Sequence, residues 1–220
     1  MIFGDDRSNV SWSLTLVCGS SWVRMEVMAR GDTKNRLLEV GTRIFLERGY
    51  NHSGIESILQ AADVPKGSFY NYFSSKEDFG LQVINRFASC FEAELDRFLG
   101  EETLSPLGRL KGYFESVIAL LESNRCRNGC LVGNLSLEMA DQSELLRTRL
   151  EEVFEGWVKR YADCLEAAQL AGEIPAEMNV RSLAEFWLNS WQGAVLRAKT
   201  ARTTQPLRLF LDMTLGAVSV

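Results

Sequence analysis

Residues 55–79 read IESILQAADVPKGSFYNYFSSKEDF, and their spacing decides the fold. Ile55, Ile58 and Leu59 recur at i, i+3 and i+4, the pattern of a helix with one buried face. Ala61, Ala62, Asp63 and Val64 then supply small residues and a turn. Pro65 suits the first position of a second helix, where its missing N–H would have had no partner. That helix would present Lys66, Gly67 and Ser68 on its first turn, a small, basic, hydroxyl-bearing surface able to approach a DNA groove. Phe69, Tyr70, Tyr72 and Phe73 place four aromatics in five residues, offering core anchors and phosphate-reaching hydroxyls. Ser74-Ser75-Lys76-Glu77 reads as a helix start with a hydroxyl cap and an acidic first turn. This is a helix-turn-helix pattern; an ordinary helical hairpin is the plain alternative.

Outward from this motif the chain reads as all-α. A first helix is expected from Thr33 to Arg48, ended by Gly49. Another from Lys76 to Leu99 should link the DNA-reading head to the body. Ser105-Pro106 opens a helix reaching about Leu121, Cys130 to Ala140 forms a short one, and Ser143 caps a long one ending near Leu170. Two more complete the chain, Val180–Arg202 and Pro206–Val218. The expected divisions are a tail or mis-assigned start at 1–29, a DNA-binding domain at 30–76, and a sensing and dimerisation domain at 77–220.

Of the 220 residues, 46% are hydrophobic and 24% charged, as in a water-soluble globular protein. The net charge of −5 does not advertise nucleic-acid binding, so the motif alone carries that reading. The mildly apolar stretch 11–23 is too short for a membrane span and lacks a basic start. Five cysteines without a regular framework fit a reducing cytoplasm. No cofactor motif or metal-ligand cluster is evident. A thiol enzyme is disfavoured because the only histidine, His52, lies beside the DNA face. A helical adaptor without DNA binding stays open at this point.

From Asn35 to Phe79 the chain resembles the DNA-binding domain of the TetR family of bacterial regulators. The matching residues include Leu38, Phe45, Arg48-Gly49-Tyr50, Ala61-Ala62, Val64, Lys66-Gly67-Ser68, Tyr70, Tyr72-Phe73 and Ser75-Lys76-Glu77. Asp63 stands where the family usually has glycine, and Pro65 replaces the commoner serine. The resemblance implies a homodimer, formed through the last two helices, on a double-stranded palindromic operator. It implies base or backbone contacts from Lys66, Gly67 and Ser68, a phosphate contact from Ser53, and backbone clamps from Tyr70, Tyr72 and Lys76.

In the body, Cys130 falls on the first turn of a short helix, near Arg125 and Arg127. Unpaired backbone N–H groups and nearby cations can lower a thiol pKa and make a reactive thiolate. The bland reading is a small buried apolar residue. The segment Gly129 to Arg147, with Phe186-Trp187 through Lys199, resembles the family's subgroup that holds the N-ethylmaleimide reductase repressor and acrylate-responsive regulators. That resemblance supports Cys130 as a thiol modified by an electrophile or oxidant. Lys199 could supply a cation to Cys130 or pair with Glu138, and Cys126 could form a disulfide with Cys130. The alternative keeps the repressor but has a small apolar ligand bind reversibly among Phe114, Trp157, Trp187 and Trp191.

Overall fold

The computed structural model describes residues 33–218, so the expectation for residues 1–29 lies outside the described part. Among the described residues every regular element is helical: α1 (Thr33–Arg48), α2 (Ile55–Ala61), a 3-10 helix (Lys66–Asn71), α3 (Lys76–Leu99), α4 (Pro106–Ser123), α5 (Leu131–Met139), α6 (Glu144–Leu170), α7 (Val180–Ala201) and α8 (Gln205–Val218). The helix starts obey cap chemistry. Ser75, Ser105, Ser143 and Asn179 each accept a hydrogen bond from a backbone N–H of the first helical turn.

The head is α1, α2 and the 3-10 helix around an aromatic cluster. Phe69, Phe73 and Phe79 lie 4.8–5.4 Å apart by ring centroid, and Phe45 packs edge-on to Phe79 at 5.8 Å. Gly41 lets this happen, since a Cβ there would fall on the Phe79 ring. Between α2 and the 3-10 helix, the Ala62 N–H reaches Ile58 O and the Val64 N–H reaches Leu59 O. Asp63 takes the left-handed conformation, φ 50°, that glycine would otherwise supply. Pro65 sits one residue ahead of the second helix, as its cap, and residues 66–71 wind as 3-10 rather than α. Six residues containing a glycine are too few to favour the longer winding.

In the body, α3 and α6 run parallel. Glu77 meets Ser143, Asn85 meets Arg149 at 2.6 Å, and Asp96 meets Arg160 at 2.8 Å, all in the same chain order. Tyr113, Phe114, Trp157, Tyr161, Trp187 and Trp191 form the core. Along α7 and α8 an apolar strip stays outside, with Phe186, Leu209 and Met213 all exposed.

Candidate functional site

The side of the head expected from sequence to face DNA is small and open. Lys66, Gly67, Tyr70 and Tyr72 are exposed and Ser68 is half-buried. Nothing lies within 4 Å of where a Gly67 Cβ would be, so this backbone can be approached closely from outside. Lys66 is ion-paired with Glu56 of α2, which raises the lysine's pKa and lowers that of the carboxylate. Phe69 and Phe73 are buried.

Two residues expected on this face are placed elsewhere. Ser53 is buried and its hydroxyl donates to Gly49 O, because the loop before α2 folds back over the end of α1. Lys76 donates to Tyr50 O at 2.7 Å, with its ammonium 4.3 Å from the Tyr50 ring centroid. Burial lowers the Lys76 pKa, and the charge on Glu138 opposes that shift. Both side chains hold the α1–α2 loop in place.

That loop is the joint between head and body. Glu138, in the last turn of α5, accepts from the backbone N–H of Tyr50 and of Asn51, each at 2.7 Å. A carboxylate taking two backbone N–H groups is a strong, directional arrangement. Gly49, at φ 80°, leaves room for it; a Cβ there would stand 2.6 Å from the carboxylate oxygen. The Asn51 side-chain amide also donates to Gln142, at 3.2 Å.

Cys130 caps the other end of α5. Its thiol is half-buried and accepts a long contact from Gln192 Nε2 at 3.8 Å. It lines two hollows. One is an outer groove of about 620 Å³ between α5, α6 and α7, bordered by Asn134, Leu137, Phe154 and Lys199. The other is an inner apolar cavity of about 120 Å³, walled by Phe87, Phe91, Tyr113, Leu120 and Trp191 among others.

The thiol chemistry differs from the expectation. Burial pushes the Cys130 pKa up, and contacts from Gly133 N–H, the Gln192 amide and Val132 N–H only partly offset it. Arg125 and Arg127 are exposed and play no part in that balance. Lys199 donates to Asn134 Oδ1 at 3.3 Å, so it pairs with neither Cys130 nor Glu138, although it borders the same groove. Cys126 is buried beneath a separate hollow lined by Arg125, Arg127 and Arg202, and no disulfide joins it to Cys130. Trp191 reaches the inner cavity, whereas Trp187 packs against Phe114 and Phe210 under the apolar strip. Cys90 also stands in the inner cavity wall. Sequence reasoning passed over Tyr113, Tyr161 and Gln192. They sit on the core faces of their helices, where periodicity reports burial without saying that a cavity is near. No group of three or more His, Cys, Asp or Glu among the described residues could hold a metal ion. No helix there is long and apolar enough to cross a membrane.

A helix-turn-helix head locked by its loop to a hollow helical body defines a class of DNA-binding transcriptional regulators. Residues 37–83 match the family described as "Bacterial regulatory proteins, tetR family", and residues 106–214 match "Tetracyclin repressor-like, C-terminal domain". The chain is 42% identical to the HTH-type transcriptional repressor DhaR of Mycobacterium sp., over 87% of this chain and 94% of that one. It is 40% identical to the transcriptional regulator AcuR of Cereibacter sphaeroides, over 79% of this chain and 80% of that one. The solved reduced form of E. coli NemR is 28% identical and superposes with a TM-score of 0.77, covering 86% of this chain and 97% of that one. The chain belongs to the TetR family. It is a DNA-binding transcriptional repressor and not an enzyme.

Proposed function

We propose that the protein is a homodimeric repressor that leaves a palindromic operator when a small electrophile modifies Cys130. The observation that carries this reading is α5 itself. Its first turn holds the thiol and its last turn holds Glu138, eight residues or about 12 Å further on. A group added to Cys130 fills the hollow beside one end of a short stiff rod and presses on it. The other end grips the loop before the DNA-reading helices. A modified thiol shifts the equilibrium only in so far as it fits the DNA-bound and released arrangements unequally. Displacement of α5 supplies that difference.

Lys66, Gly67, Ser68, Tyr70 and Tyr72 are the DNA contacts in this reading, since they are open to approach on one side of the head. The strip of Phe186, Leu209 and Met213 on α7 and α8 is the dimer face. Two heads held about one DNA turn apart then read a palindrome. The raised thiol pKa favours an electrophile held against the sulfur over a freely diffusing oxidant, because proximity compensates for a small thiolate fraction.

The test is operator affinity before and after treatment with a conjugated enone, for wild type and Cys130→Ser. Loss of binding in wild type with retention in the variant is expected. Equal release of both proteins would overturn the thiol mechanism.

A further inference from the structure

Three arginines of the body converge on one hollow, and none of them holds a carboxylate. The hollow, about 410 Å³, lies between the loop that joins α4 to α5 and the turn that joins α7 to α8. Arg125 and Arg127 border it from the loop and Arg202 from the turn. All three are exposed, and their guanidinium groups make no hydrogen bond or ion pair among the described residues. By contrast, Arg149, Arg160, Arg181 and Arg208 each hold a carboxylate. The one carboxylate on the hollow, Glu122, is already paired with Arg208 at 3.3 Å. The lining therefore carries three cations against one carboxylate, on a chain whose net charge is −5.

Two lining residues, Cys126 and Thr204, are buried, so the hollow has a floor below the surface. Burial and Glu122 push the Cys126 thiol pKa up and Arg202 pulls it down, which sets the Arg202 charge beside that floor. The Thr204 hydroxyl accepts a 3.4 Å contact from Arg208 and its own proton has no acceptor. The start of α8, just beyond Thr204, turns the positive end of a helix toward the same turn. Arg125, Cys126 and Arg202 are three of the four non-glycine residues with positive φ among those described, at 58°, 53° and 58°. Side chains of this kind seldom adopt that backbone, and here it recurs around one hollow.

We propose that this hollow binds a phosphate-bearing small molecule, whose phosphoryl oxygens are gripped by Arg125, Arg127 and Arg202. A guanidinium offers two parallel N–H groups to such oxygens, and three of them suit a group carrying about two negative charges. Thr204 has a hydroxyl proton left to donate. No aromatic side chain lines the hollow, so recognition falls on the phosphoryl group and not on a stacked ring. The volume lies within the roughly 300–1,000 Å³ of small-molecule sites. A duplex backbone is a broad convex rail that cannot enter a floored recess, whereas a single phosphoryl group can. Its occupancy is independent of Cys130 being the sensing thiol. A bound phosphate would tie the loop that leads into α5 to the turn that leads into α8.

The experiment is calorimetric titration of the full chain at fixed ionic strength. The probes are inorganic phosphate, pyrophosphate and ribose 5-phosphate, with ribose as the uncharged control. At least one phosphate-bearing probe should bind saturably at one site per chain, and ribose should not bind. Arg127→Gln and Arg202→Gln should each weaken that binding about tenfold or more, the effect of one lost charge-assisted contact. Arg181→Gln, which removes an exposed guanidinium paired with Glu155 elsewhere on α7, should leave it unchanged. Failure of all three phosphate-bearing probes to saturate overturns the proposal, as does equal weakening by Arg181→Gln. The comparison of probes with ribose uses wild type alone and stands even where a variant packs differently. If no probe binds while Arg202→Gln lowers the salt slope of operator binding, the arginines serve the DNA backbone, which also overturns the proposal. Cys130→Ser should bind the probes as wild type does, so this result and the fate of the thiol mechanism are read separately.

Discussion

The two ends of α5 are held in opposite ways. At Glu138 the contacts are saturated: two backbone N–H groups on one carboxylate, a glycine shaped to admit it, and Lys76 fixing the same loop from behind. At Cys130 the helix starts beside empty space, with one long sulfur contact. A signal enters most easily where packing is incomplete. It is transmitted most faithfully where nothing can slip.

This contrast can be broken first at its tight end. Glu138→Ala leaves the Tyr50 and Asn51 N–H groups without their acceptor, and should lower stability by roughly 2–4 kcal/mol in denaturant unfolding. Any folded protein it yields should show operator affinity insensitive to alkylation of Cys130. Retained sensitivity would mean that the signal passes around α5. Gly49→Ala attacks the same contact from the other side, combining a left-handed backbone with a clash against the carboxylate. It should cost about 1–3 kcal/mol; a neutral result would show the joint to be slack.

Lys76→Ala removes a hydrogen bond and a ring contact from the loop, and a loss of about 1 kcal/mol is expected. Its operator binding should keep the wild-type salt slope, against the sequence expectation of a phosphate clamp. Lys66→Ala should lower that slope, by up to about one unit. A reversal of the two lysines would return Lys76 to the DNA face. The smallest change belongs to the loose end. Cys130→Ser should alter stability by less than about 1 kcal/mol, since no tight packing surrounds the sulfur. The pH profile of the wild-type thiol sharpens this. Because burial raises its pKa, reactivity should still be climbing above pH ~8.5, where an ordinary thiol is half ionised. A plateau near neutrality would contradict the buried environment.

Local features were legible in the sequence. The bounds of α1 and α3 fell where glycine, serine and the apolar period put them, and Asp63 took the left-handed place. Features that depend on distant partners were not. Glu138 meets residues 87 and 88 positions away, and no spacing rule announces that. Arg125 and Arg127 adjoin Cys130 in sequence, yet positive φ at Arg125, Cys126 and Gly129 turns the loop so that the arginines face solvent. The 3-10 winding of residues 66–71 escaped notice because a six-residue turn has too few positions to distinguish the two periods. Nothing in the sequence marks Tyr113 as a cavity residue, since the cavity beside it is formed only by the assembly of α1, α3, α4, the loop 124–130 and α7.

The Lys66–Glu56 pair bears on how the protein searches a genome. Glu56 acts as a resident counter-ion, so the lysine arrives at DNA already neutralised, on a chain whose net charge is −5. Long-range attraction to arbitrary duplex is therefore weak, and sliding along a featureless phosphate rail is poorly supported. On the proposed DNA face, the lysine would exchange this exposed partner for a groove or phosphate at little cost.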